Sequence, residues 1–158
     1  MTVFLETAAP LSESEIDAVE SRLGVKLPAD YRKHLLAHNG GRPRPDGFDI
    51  AWDHDCPAAE EWRTSCLGWF LAVGNMKHSN LYRYNAVTFK GRIPDDTLAI
   101  AHDAGGNLIL LALAGIHAGK VLFWVRDYEA EAGEVSGYGN IGLIAENFRG
   151  FIDHGLRA

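Results

Sequence analysis

A chain of 158 residues with 47% hydrophobic residues has the length and composition of one globular domain rather than of a disordered segment. Its 15 basic and 21 acidic residues give a net charge of −6, and because nucleic acids are bound through Lys and Arg, no direct nucleic acid contact is expected. Two cysteines are too few for a disulfide framework, and we see neither a signal peptide nor an apolar stretch that could cross a membrane, so a cytoplasmic protein is expected.

Two helices are predicted near the amino terminus. In LSESEIDAVESRLG, Ser12 is a good helix cap and Glu15 follows three residues later, which is the spacing of a capping box. Gly24 can end this helix, because glycine accepts the left-handed backbone conformation. Pro28 begins the second helix, LPADYRKHLLAHNGG. We expect Gly40 to adopt the left-handed cap conformation at its end and the next glycine to let the chain turn away.

The segment from residue 42 to about residue 68 is expected to be a long irregular loop, with a short helix possible at 58–63. Six acidic residues and no Lys or Arg lie within 46–62, DGFDIAWDHDCPAAEEW. Outside that stretch the chain carries 15 acidic and 15 basic residues, so the stretch holds the whole formal excess of negative charge. It is either a solvated loop that aids solubility or a surface for a basic protein partner.

Apolar runs predict the strands of an antiparallel meander. GWFLAVGN, residues 68–75, reads as a buried strand, and LYRYNAVTF from Leu81 is a weaker candidate. TLAIAHD and NLILLAL flank the turn AGG, and KVLFWVRD follows a short glycine-bounded loop. NLILLAL is apolar almost throughout, which indicates a strand covered on both faces. Phe123 and Trp124 point to opposite faces of the next strand, and we expect both to be buried.

The tail IGLIAENFRGFIDHGL places residues 144, 148, 151 and 152 at helical spacing and predicts a final helix on the sheet. A mainly antiparallel central sheet with amino-terminal and carboxyl-terminal helices packed on it is an α+β fold. We expect a single domain over residues 1–158.

Enzyme and metal sites are weakly indicated. Asp53 to Cys56, DHDC, could supply metal ligands together with Cys66, but the paired spacing of zinc sites is missing. His34 and His38 stand one helical turn apart without the neighbouring Glu of a metalloprotease, and we interpret them as surface histidines. We therefore expect no enzyme, no metal and no cofactor. The alternative is a regulatory domain that binds a small ligand or a metal through the 46–66 loop.

The chain resembles the SUKH superfamily, which includes the yeast cell-wall-assembly regulator and many bacterial immunity proteins. The resemblance lies in LSESEIDAVESRLGVKLP, LPADYRKHLLAHNGG, IPDDTLAIAHDAGGNLILL, GKVLFWVRD and IAENFRGFI, which occur in the family's order. The family's asparagine-glycine matches Asn39 and Gly40, followed by Gly41. Its aspartate-glycine-asparagine turn matches Asp103, Gly106 and Asn107, with two extra residues after the aspartate. We interpret these six residues as structural markers of the fold.

The resemblance implies a binding module that neutralises a cognate toxin, often a nuclease encoded nearby, by covering its active site. Nuclease toxins tend to be basic, so an acidic partner would associate faster with them. Aromatic side chains beside charges are typical of tight interfaces. The residues expected to face the partner are those of the acid-rich stretch that the family motifs leave uncovered: Trp52, Asp53, Asp55, Glu60, Glu61 and Trp62.

Overall fold

Eight strands and five helices make up the fold in this computed structural model, which describes residues 1–158. The strands are β1 Val3–Leu5, β2 Arg42–Arg44, β3 Gly47–Asp49, β4 Thr64–Phe70, β5 Thr97–Asp103, β6 Leu108–Ala112, β7 Val121–Trp124 and β8 Ile141–Ala145. β1 and β2 form a small ribbon, and β3 to β8 form a six-stranded antiparallel sheet in chain order. The predicted meander is therefore confirmed, and it is longer than expected.

The helices are α1 Glu13–Leu23, α2 Ala29–Ala37, α3 Pro57–Glu61, α4 Leu81–Arg83 and α5 Phe148–Gly150. Two π-helical turns, Tyr84–Thr88 and Phe151–Gly155, continue α4 and α5. Helices at both ends pack on an antiparallel sheet, which confirms the α+β fold.

Helix α1 shows how far local sequence decides local structure. The Ser12 hydroxyl accepts a hydrogen bond from the Glu15 backbone N–H at 3.2 Å, and the Glu15 carboxylate accepts one from the Ser12 N–H at 3.1 Å. Gly24 follows the helix with φ of 66°. The predicted capping box and glycine stop are both present, because each depends only on groups within a few residues.

Both faces of the sheet are covered. On the first face, α1, α2 and α5 pack through residues such as Ile16, Tyr31, Leu35, Phe148 and Phe151. On the second face, α4 and the chain that follows it contribute Leu81, Phe89 and Ile93. Phe123 lies in the first core at 0% exposure and Trp124 in the second at 1%, as predicted for a strand buried on both sides.

Several sequence predictions about secondary structure are wrong. The stretch from Leu81 is helical rather than extended: the Asn80 side chain accepts a hydrogen bond from the Arg83 N–H at 3.1 Å and caps α4. The Asn85 side chain then bonds to both backbone groups of Ala99, so a helical segment lies directly on β5. Burial against the sheet outweighed the aromatic and β-branched composition that had suggested a strand.

The tail was predicted as one helix, yet residues 141–145 form the edge strand β8, which includes Ile144. The helix begins only after Asn147, whose side chain accepts from the Gly150 N–H at 2.7 Å. The region 42–68 is also more regular than predicted, because it holds β2, β3 and the start of β4 besides α3, which lies where a short helix was expected. The strand expected at 68–75 is shifted towards the amino terminus accordingly.

His34 and His38 are not the surface residues that we expected. Phe4 of β1 stacks on His38 with ring centroids 4.4 Å apart, and the His34 ring meets Phe4 and Phe148 edge-on, each at 4.9 Å. The Nε2 atom of His34 is buried without a hydrogen-bond partner. Burial lowers the pKa of His34 to about 3, and repulsion from a charged His38 acts in the same direction.

The depressed pKa of His34 predicts loss of stability in acid. Unfolded His titrates near 6.5, so between that pH and about 3 the unfolded chain binds the proton more tightly than the folded one. Above pH 6.5 His34 is neutral in both states and the free energy of unfolding has its full value. As the pH falls below 6.5, the free energy of unfolding declines by roughly 1 kcal/mol per pH unit. Chemical denaturation from pH 7 to 4 measures it. His34→Phe should flatten this dependence, and an equally steep dependence in that variant would contradict the assignment.

Candidate functional site

The acid-rich stretch 46–62, called here the acid segment, lies along both edges of the sheet. Gly47 of β3 exchanges backbone hydrogen bonds with Arg157 near the carboxyl terminus, each 2.8 Å long. A few residues later, Ala51 exchanges backbone hydrogen bonds with Leu143 of β8, at 2.8 and 2.7 Å. The segment thus connects the two edge strands, and its first half is held by backbone bonds rather than lying free in solvent.

Trp52 and Trp62 are half-buried and hold the segment together. The Trp52 indole N–H donates to the Trp62 carbonyl at 2.7 Å. The Trp52 ring packs over Gly142 of β8, where an added Cβ would lie only 2.9 Å from the ring. The Trp62 ring lies 5.7 Å from that of Phe123 and its N–H is buried without a partner. Both indoles contribute to the core and leave only part of their surface for contact with another molecule.

The six carboxylates of the acid segment fall into two groups. Asp46 pairs with Arg44 at 3.0 Å, and Asp49 pairs with Arg157 at 2.6 Å. These ion pairs balance their charge within the chain. The other four, which are the acidic residues expected to face a partner, have no arginine or lysine partner: Asp53, Asp55, Glu60 and Glu61.

The short 3₁₀ turn Arg126–Tyr128 after β7 extends this negative area. The Tyr128 hydroxyl donates a short hydrogen bond to Glu61, and this bond is the main reason that the pKa of Tyr128 is raised. The charges of Asp127 and Glu60 raise it further. Sequence reasoning missed Asp127 and Tyr128, although the run DYEAEAGE is acidic and contains no Lys or Arg. We call Asp53, Asp55, Glu60, Glu61, Asp127 and Tyr128 the acidic surface.

A groove of about 530 Å³ opens beside the acidic surface. His54 lies at its rim, with one ring nitrogen 2.5 Å from Asp53 and the other 3.0 Å from the Gly139 carbonyl. The hydrogen bond to Asp53 and then that to Gly139 raise the pKa of His54. The groove is lined by residues that include Trp52, Asp53, His54, Lys120, Tyr138 and Leu143.

The Asn39-Gly40-Gly41 marker joins distant parts of the backbone. The Asn39 side chain is buried and bonds to the Ala9 carbonyl and to both backbone groups of Val73, at 2.8 to 2.9 Å. Helix α2 ends earlier than predicted, with His38 as its cap, so Gly40 does not cap it. Gly40 does have a left-handed φ of 70°, and it lies where a Cβ would come 2.6 Å from that of Ala72.

The second marker is a turn organised by a buried aspartate. One carboxylate oxygen of Asp103 accepts from the N–H groups of Gly105 and Asn107, and the other accepts from Ser65 and the Asn107 amide, all at 2.9 Å. Asn107 in turn accepts from the Arg126 N–H at 3.0 Å, and Gly106 has φ of 85°. The turn therefore joins β4, β5 and the end of β7.

No group of three or more His, Cys, Asp or Glu side chains is arranged to hold a metal ion, and Cys56 and Cys66 are free thiols. The helices are also all too short or too polar to cross a membrane.

Comparison with known proteins gives two matches. The model of the SMI1/KNR4 family (SUKH-1) matches residues 10–154. The SPbeta prophage-derived uncharacterized protein YokK of Bacillus subtilis (strain 168) is 26% identical over 151 residues, which cover 89% of this chain and 72% of that protein. No solved structure matches.

Proposed function

Because the chain belongs to the SMI1/KNR4 family (SUKH-1), which includes toxin-immunity proteins, we propose that it neutralises a cognate basic toxin by binding it. It acts without chemistry of its own, by covering the toxin's active site or substrate groove. A nuclease is the class of toxin that fits best, since proteins that bind phosphate backbones carry the positive charge that an acidic partner recognises.

The observation that carries this proposal is the charge pairing within the acid segment. Asp46 and Asp49 are satisfied by arginines of the same chain, and Asp53 has only His54 as a partner. The other carboxylates of the acidic surface form no ion pair: Asp55, Glu60, Glu61 and Asp127. Exposed like charges close together destabilise a fold slightly, so their clustering suits a surface that gains its counter-charges from another molecule. The exposed parts of Trp52, Trp62 and Tyr128 add aromatic area beside these charges.

Association kinetics test whether the acidic side chains attract the partner. Neutralising Asp53, Asp55, Glu60 and Glu61 together, as Asn or Gln, should slow association with the protein encoded beside this chain by about tenfold or more at low salt. Raising the salt concentration should slow the unmodified protein in the same direction and affect the variant much less.

A second quadruple variant serves as the control, with the same change of net charge at exposed acids elsewhere: Asp17, Asp95, Glu131 and Glu134. Its association rate should stay close to that of the unmodified protein. Equal slowing in both variants, or none in the first, would place the binding surface elsewhere on the molecule.

Dissociation kinetics test whether the two tryptophans belong to the interface. Trp52→Ala or Trp62→Ala should speed dissociation, with a cost of about 2 kcal/mol in binding if the ring is an anchor. Since both rings also pack in the core, binding must be measured well below each variant's melting temperature. Unchanged dissociation in a folded variant that lacks both indoles would remove the tryptophans from the interface.

A further inference from the structure

A second cleft, lined by aromatic and basic side chains, opens on the second face of the sheet. Trp69 of β4, His102 of β5 and Leu108 of β6 form its floor, and Tyr84 with Phe89 form a wall after α4. Its volume is about 510 Å³, and an adjoining space of about 360 Å³ shares Trp69, Tyr84 and His102. This size lies within the range of roughly 300–1,000 Å³ that is typical of small-molecule sites. We call the two spaces together the aromatic–basic cleft.

Four cationic side chains line the aromatic–basic cleft, and three of them have no carboxylate partner. Arg126, Arg83 and Lys77 are exposed and form no ion pair. Arg42 pairs with Glu6 at 3.5 Å, and its Nε is buried without a hydrogen-bond partner. The acid among the lining residues, Asp103, has both oxygens engaged in the turn described above. Four cationic groups and one hydrogen-bonded carboxylate therefore line the cleft, so cations locally outnumber acids in a protein with net charge −6.

The aromatic rings of the cleft are held in place. The Arg42 guanidinium lies 5.6 Å from the centre of the Trp69 ring. The Tyr84 ring stacks on His102 with centroids 5.9 Å apart and planes 17° apart. Both His102 nitrogens are engaged, one 2.9 Å from the Asp103 carbonyl and the other 3.0 Å from the Ser79 hydroxyl. The Trp69 ring also meets that of His78 at 5.0 Å, and the Tyr84 ring lies 5.4 Å from that of Phe89. Both residues remain half-exposed, so each offers part of a fixed aromatic surface to a flat ligand.

We propose that the aromatic–basic cleft binds a mononucleotide. A nucleotide joins a flat base, which stacks on indole and phenol rings, to a phosphate, which the planar guanidinium group of Arg binds through paired hydrogen bonds. A simple inorganic anion would leave the aromatic surface unused. A long nucleic acid strand would bring its many charges against an acidic protein, whereas a single nucleotide meets only the local positive area.

Calorimetric titration of the purified protein with AMP, GMP, CMP and UMP tests the site. At least one of them should bind at least about tenfold more tightly than adenosine or inorganic phosphate, because stacking and phosphate contacts both contribute. Binding should perturb the NMR signals of the Trp69 indole and the His102 imidazole. No binding of any of the four at millimolar concentration would overturn the proposal. Equal affinity for inorganic phosphate, or tighter binding of an oligonucleotide or a glutamate-rich peptide at the same residues, would also overturn it.

Variants assign the binding to the cleft. Arg126→Gln changes an exposed side chain and should weaken nucleotide binding by about tenfold or more, as loss of a charge-assisted hydrogen bond predicts. Arg63→Gln makes the same chemical change at an exposed arginine outside the cleft and should leave affinity unchanged. Trp69→Leu should also weaken binding, and its folding is checked by thermal melting. Equal affinity in Arg126→Gln and Arg63→Gln would overturn the site. Since no toxin is present, the result is independent of the proposed immunity function.

Discussion

Asp103→Ala is expected to lower the free energy of unfolding by about 3–5 kcal/mol, the largest effect of any single substitution considered. The Asp103 carboxylate accepts four hydrogen bonds at 2.9 Å, and the residue is 2% exposed. Alanine would leave the N–H groups of Gly105 and Asn107, the Asn107 amide and the Ser65 hydroxyl without their partner. Asn107 is buried, so its two donors that lose their acceptor cost far more than the net value of the bonds themselves.

Urea denaturation at neutral pH measures this effect. Asp103→Asn keeps one acceptor oxygen and should cost clearly less than Asp103→Ala, while Asp95→Ala, at an exposed aspartate, should change stability by less than about 0.5 kcal/mol. A loss of under about 1 kcal/mol in Asp103→Ala would mean that the turn rearranges and that Asp103 does not organise it.

Gly40→Ala is expected to cost about 3 kcal/mol, of which left-handed strain accounts for about 1–2 and overpacking for the rest. Gly24 provides a matched comparison, because its φ of 66° is close to the 70° of Gly40 while no atom lies within 4 Å of the position that an added methyl group would take. Gly24→Ala should therefore show the strain alone. At Gly40 the added methyl also meets the Ala72 Cβ at 2.6 Å.

A second substitution separates left-handed strain from overpacking at Gly40. Ala72→Gly removes the methyl group that the new side chain would strike, so in the Gly40→Ala background it should recover part of the lost stability despite its own backbone cost. Thermal and urea melts of the unmodified protein, Gly40→Ala, Ala72→Gly and the double variant complete the double-mutant cycle. Equal losses of stability in Gly24→Ala and Gly40→Ala would show that the close approach to Ala72 does not contribute to the cost.

The candidate site could be predicted only in part, because its ion pairs join distant parts of the chain. The concentration of acids in 46–62 is visible in the chain. Which of them keep unbalanced charge depends on folding, since Asp49 meets Arg157, 108 residues away. Asp127 and Tyr128 join the acidic surface because β7 ends beside α3, which no local pattern indicates. The aromatic–basic cleft likewise draws Arg42, Trp69, Tyr84, His102 and Arg126 from five separate parts of the chain.

The sequence by itself determined the features that depend on neighbouring residues: the capping box of α1, the stop at Gly24, the hairpin of β5 and β6, and the burial of Phe123 and Trp124. Their hydrogen bonds and apolar alternation are local, so the chain encodes them directly. Only the tertiary structure decided that the Leu81 stretch is helical and that residues 141–145 form a strand. Asn85 bonds across to β5, and β7 takes β8 as its edge partner, and these long-range contacts outweigh the weak local preferences of both stretches.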